Sequence, residues 1–219
     1  MYHVINYNIG SGSRTIIAQQ VNSSTNSENF FLLHLSKTEQ ENPLKAIKEF
    51  FESNYSLPTA SIALEDMALK VAYDIPAQSW KREEEVIFFI LQFSRLIEAA
   101  FMIKNESCPD FKVDKITKEN MIPKHILSKS ENLEAILPYL PNSQDPQDSK
   151  DPSLNLQILF FDTPIQELLD TFKAWGKCVS SGLKLDKTFQ WNSHLDLKIF
   201  TAILEACHLI YVRGQKAEK

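Results

Sequence analysis

Polar and apolar residues alternate near the start of the chain, where Asn6 and Asn8 separate Ile5, Tyr7 and Ile9. A period of two marks a strand with one buried face. Gly10-Ser11-Gly12-Ser13 then reads as a turn, Thr15 to Val21 as the returning strand, and Asn22 to Asn29 as a polar loop. Phe30 to Leu35 supplies a third strand, and three strands with one apolar face need a helix to cover them. Asn42 as N-cap, Pro43 at the first helical position and Leu44, Ile47, Phe50 and Phe51 at helical spacing predict that helix, bounded by Pro58.

Met67 to Ile75 alternates large apolar with small or polar residues and predicts a strand, although Ala60, Leu64, Met67 and Val71 also fit one face of a helix. Ser79 is the expected cap of the next helix, with Glu83, Glu84 and Glu85 in its first turns. From Val86 to Ile103 that helix is apolar on most of its circumference, with Arg95 and Glu98 on the remaining strip. It is the expected central helix. Two charges near the middle of a lone membrane span would each cost about 2.5 to 3.5 kcal/mol, so a buried core helix is expected and no membrane insertion.

Shorter helical pieces are expected at Lys118 to Ser128 and Glu131 to Tyr139. Residues 141–153, with three prolines and no large apolar side chain, predict an exposed or disordered loop. Leu154 to Phe161 reads as a further strand. Thr163-Pro164-Ile165-Gln166 opens a helix with Ile165, Leu168, Leu169 and Phe172 on one face. A last helix begins at Ser193 and ends at Gly214, its polar stripe marked by Lys198, Thr201, Glu205 and His208. These elements predict an α+β fold: a single domain over residues 1–219, with a mainly antiparallel sheet covered by a central apolar helix and two C-terminal helices.

Composition is that of an ordinary globular protein, with 43% hydrophobic and 23% charged residues, and fourteen Phe against five Gly imply a core of large side chains. The net charge of −5 repels a phosphate backbone, and the five lysines between Lys112 and Lys129 form only a mild bias, so nucleic acid is not an expected partner. Cys108, Cys178 and Cys207 are far apart and odd in number. They indicate neither a disulfide framework nor a zinc site, and buried reduced thiols are expected. Met1 to Asn6 has neither a basic nor a continuous apolar region of a cleaved signal, so a cytoplasmic location is expected.

No chemical motif survives inspection. The Gly10-Ser11-Gly12-Ser13-Arg14-Thr15 segment lacks the first glycine and the lysine of a Walker loop, and Thr15 stands where a dinucleotide fingerprint needs its third glycine. Glu205 and His208 have the Glu-x-x-His spacing of di-iron bundles, but such sites need a second pair, and an exposed pair on the polar stripe is expected instead. Cys207 and His208, being adjacent, diverge by about 100° on a helix, and no Gly-x-Ser-x-Gly elbow is present. No catalytic residue, metal ligand or cofactor is therefore expected.

Leu183, Leu185, Phe189 and Trp191 are too many large apolar side chains for a solvated loop, and they are the expected partner-binding residues. The function this implies is a non-catalytic protein-interaction module: an adaptor or chaperone-like subunit of a larger assembly, such as a bacterial secretion system, working as a hetero-oligomer with another protein. An acidic immunity protein that inhibits a basic toxin is one alternative, and an enzyme with a dispersed, motif-free active site is another.

Overall fold

The computed structural model describes residues 3–9, 12–18, 34–103, 111–129, 133–142 and 148–217. The chain divides into two units, Met1–Phe31 and Leu32–Lys219. In the first, β1 (His3–Ile9) and β2 (Gly12–Ala18) form an antiparallel hairpin with Ile5 opposite Ile16, Tyr7 opposite Arg14 and Ile9 opposite Gly12. The return begins at Gly12, three residues before the expected Thr15. Residues 19–33, which hold the rest of the expected meander and most of its third strand, lie outside the described residues.

The second unit is helical. Along the chain come α1 (Lys37–Glu41), α2 (Pro43–Glu49), α3 (Leu57–Tyr73), α4 (Glu83–Ile103), α5 (Lys124–Leu127), α6 (Leu133–Ile136), α7 (Pro152–Asp162), α8 (Ile165–Ser181) and α9 (Lys187–Ala217). Among its described residues there is no strand, so the expected α+β class with a mainly antiparallel sheet is overturned.

Two segments expected to be strands account for the correction. The run Met67 to Ile75 belongs largely to α3, where Ala60, Leu64, Met67, Ala68 and Val71 share the buried face. Ser56 caps this helix, accepting from the Thr59 N–H at 3.3 Å, and Pro58 sits in its first turn, where a proline interrupts no hydrogen bond. The apparent alternation came from Ala68 and Ala72, small residues that suit either period. Leu154 to Phe161 lies in α7, capped by Asp151, which accepts from the Leu154 N–H at 3.1 Å. Leu156 and Phe160 of α7 are buried, whereas Leu154, Ile158 and Phe161 face outward. An all-round apolar run carries no period to separate helix from strand.

The central helix is the second half of α9, not α4. Every residue from Ile203 to Arg213 is buried, and α9 packs on α3, α7, α2 and α4. Its start also differs from expectation. Asp186 caps it, accepting from the N–H groups of Thr188 at 2.9 Å and Phe189 at 3.1 Å, and the helix passes through Gly214 to Ala217. α4 packs between α8 and α2 and keeps Ile87, Phe88 and Leu91 exposed. It is the one helix among the described residues long and apolar enough to cross a membrane by length and composition. Phe93 of α4, Phe172 of α8 and Phe200 of α9 meet at the centre, with ring centroids 4.8 Å apart for Phe93–Phe172 and 5.2 Å for Phe172–Phe200. α8 buries Ile165, Leu168, Leu169 and Phe172 as the pattern predicts, with Pro164 just before the helix.

Charges read as solvent-facing are folded inward. Glu98 is 0% exposed and accepts from the N–H groups of His34 and Leu35, each at 3.0 Å, while His34 Nδ1 lies 2.6 Å from its other oxygen. One turn earlier, Arg95 pairs with Glu39 of α1 and, at 3.1 Å, with Glu49 of α2. Burial pushes the Glu39 carboxyl up, but the Ser36 hydroxyl and the Arg95 guanidinium outweigh it and hold it below its ordinary range. Ser79 does not cap α4. Its N–H and hydroxyl donate to Asp66.

At the far end, Arg213 is buried and its guanidinium donates to four backbone carbonyls: Asn120 at 3.2 Å, Phe111 at 2.6 Å, Lys150 at 3.2 Å and Ser149 at 2.5 Å. Desolvation lowers its pKa to about 10. Within the segment expected to be an exposed loop, 143–147 lie outside the described residues, but Ser149, Pro152 and Ser153 are buried. Within that segment the guanidinium meets the Ser149 and Lys150 carbonyls, a charge-assisted contact that holds this polar backbone inward.

Candidate functional site

The helical unit carries an open groove of about 890 Å³ between α3 and the first half of α9. From α3 come Glu65, Ala68, Leu69, Ala72 and Tyr73, and from α9 Gln190, Trp191, Ser193, His194 and Leu197. Both sets follow helical spacing, so each helix gives one face. Ala68 and Ala72, four residues apart, provide the small side chains that let a neighbouring backbone or large side chain approach.

The local chain geometry fixes the groove at one end. Asp74 adopts a left-handed conformation at φ 58° and closes α3. Its carboxylate meets the ammonium groups of Lys70 at 2.6 Å and Lys184 at 2.9 Å, which together hold its pKa down at about 2. Gly182, at φ 67°, closes α8 in the same way, and it takes a conformation that suits glycine. Lys184 thus links the connection between α8 and α9 to the end of α3. The Asp186 cap then starts α9 early enough to place Trp191 on a helix.

The rim is apolar and open. Trp191 is 80% exposed, Tyr73 72% and Leu69 41%, with Ile62 further along α3 and Leu195 along α9 also exposed. Of the four residues expected to bind a partner, Leu183 and Trp191 are exposed, Leu185 packs partly against the core, and Phe189 is half-buried. Trp191 alone of them lines the groove, and Phe189 and Trp191 stand on α9, not in a loop. Tyr73 and Leu69 were missed because their segment was read as a strand. Their signal was nonetheless present, since Ile62, Leu69 and Tyr73 recur at spacings of seven and four along one side of a helix.

The groove's titratable groups are Glu65, Tyr73 and His194. Ser193 beside them is buried and its hydroxyl donates to the Gln190 carbonyl at 2.8 Å, a helix-internal bond. Elsewhere, Glu205 and His208 are buried, correcting the expected exposed pair. Glu205 accepts from the Asn142 N–H at 2.7 Å, and His208 Nε2 lies 3.2 Å from the Met121 carbonyl. The Asn142 N–H and the Met121 carbonyl thus each meet one of these side chains in place of the expected solvent. Cys178 and Cys207 are buried free thiols, each pushed up by desolvation, and Cys108 lies outside the described residues. Among the described residues no three His, Cys, Asp or Glu side chains gather as a metal-binding set. Trp80 is half-buried with its ring 5.8 Å from Phe89.

No family model, curated protein or solved structure matches the chain.

Proposed function

We propose that the chain is a non-catalytic interaction module, an adaptor or chaperone-like subunit that takes a segment of another protein into the groove between α3 and α9. The observation that carries this reading is the exposure of Trp191 and Tyr73 on the two walls of one groove. Trp and Tyr are enriched among residues that dominate binding energy, because they bring large area with few rotatable bonds. Covering most of one indole removes roughly 120 to 200 Å² of surface from water, about 3 to 5 kcal/mol before the costs of association. The floor of Ala68 and Ala72 and the rim of Leu69 suit a helix laid along the groove by its apolar face.

The proposal is tested by passing an extract of the native cell over the immobilised full chain and over its Trp191→Ala and Tyr73→Ala variants. The expected result is one protein retained in stoichiometric amount by the wild type and lost by both variants, whose thermal midpoints stay within a few degrees of wild type. Equal retention by all three places the interaction elsewhere on the molecule.

A further inference from the structure

We infer that the segment received by the groove is a basic amphipathic helix that sets a Lys or Arg side chain against Glu65. This rests on the reading of the groove as a protein-docking site and adds the charge of its occupant. Glu65 is exposed on α3 and lines the groove, and it is the one carboxylate among the lining residues, which include no Lys or Arg. Tyr73, two turns further along the same helix, and Trp191, on the opposite wall, add two aromatic rings. A cation is attracted both by a carboxylate and by the face of an aromatic ring, Trp most of all, and Arg and Lys carry long apolar stems that cover alanine and leucine surface.

The position of the charge is specified as well. Lys187 lies one turn before Trp191 on α9, and Lys198 one turn after His194; both are exposed and neither lines the groove. Glu65 is the first and Tyr73 the last of the lining residues along α3, so the carboxylate marks one end of that wall. A helix that meets it carries its Lys or Arg about two turns away from the apolar side chains that reach Tyr73. The net charge of −5 favours the encounter at long range without fixing the register.

A display library of helical peptides, with one amphipathic stripe held constant and the flanking and central positions randomised, is selected in parallel on the full chain and on its Trp191→Ala, Tyr73→Ala and Glu65→Lys variants. Glu65 and Trp191 are exposed, so these variants keep the fold, and their thermal midpoints verify it. The expected outcome is enrichment of peptides with a Lys or Arg on the apolar stripe, an affinity about tenfold weaker for Glu65→Lys, and Asp or Glu in its place among the peptides that variant selects. Peptides that need Trp191 but show no basic preference and bind Glu65→Lys unchanged overturn the inference and leave the docking groove standing. Peptides that bind Trp191→Ala and Tyr73→Ala as well as wild type, or no enrichment over an unrelated protein, overturn both.

Discussion

The buried carboxylate of Glu98 accepts the backbone N–H of Leu35 at 3.0 Å, across sixty-three positions of sequence. A second bond of 3.0 Å from the His34 N–H converges on the same oxygen. The lead-in to α1 is therefore fastened to α4 through one side chain. Glu98→Ala leaves two backbone donors without an acceptor and is expected to cost about 3 to 5 kcal/mol in urea unfolding. Glu98→Gln keeps one acceptor oxygen and should lose less. Amide exchange at His34 and Leu35 should speed up in both variants.

His208 makes stability fall in mild acid. Burial pushes its pKa from 6.5 down to about 4, against the opposing effect of the Met121 and Tyr139 carbonyls. The folded chain thus keeps the ring neutral where the unfolded chain binds a proton. Its contribution is complete above about pH 6.5 and is lost as pH falls toward 4, by about 3 kcal/mol in all. Urea midpoints from pH 7 to pH 4 should show this slope, and His208→Asn should flatten it while the carboxylate contributions persist.

Two tryptophans separate core from surface. Trp175 is wholly buried with its ring 5.3 Å from Phe200, and Trp175→Ala should cost about 3 to 5 kcal/mol. Trp191→Ala, at an exposed position, should change stability by less than about 1 kcal/mol. Equal losses in the two variants would move Trp191 into the core and remove the groove's main anchor.

Gly176 is where α8 meets α4. A Cβ there would overlap Ile90 Cδ1 and stand 2.8 Å from Ile90 Cγ1. Gly176→Ala should therefore destabilise by about 1 to 3 kcal/mol. Combined with Ile90→Ala, it should lose less than the sum of the two single losses, because the smaller side chain makes room for the new methyl.

What could be read from sequence depended on whether one period or one cap stood alone. Asn42 and Pro43 located α2, and the length of the apolar run located α4, because no other element type fits those signals. α3 and α7 were misread where alanines or an unbroken apolar run satisfied two periods at once. Glu205 and His208 misled for a different reason: their partners are backbone groups of Asn142 and Met121, and nothing in the identity of those residues announces a buried contact. Trp191 was visible as an aromatic in a supposed loop. Tyr73 and Leu69, across the groove, were lost with the helix that carries them.

The wholly buried stretch of α9 follows, in chain order, the helices that pack around it. While the chain is being synthesised, α2, α3, α4, α7 and α8 leave the ribosome with their inner faces prepared but without Ile203 to Arg213 to close on. Their apolar faces must wait, open to solvent or shielded by a chaperone, until the last helix threads into place. Folding of the helical unit is thus a late, concerted event with many contacts between distant positions, a topology that slows the search. A nascent chain stalled before Phe200 should be cut by protease throughout the earlier helices, and one released after Arg213 should resist.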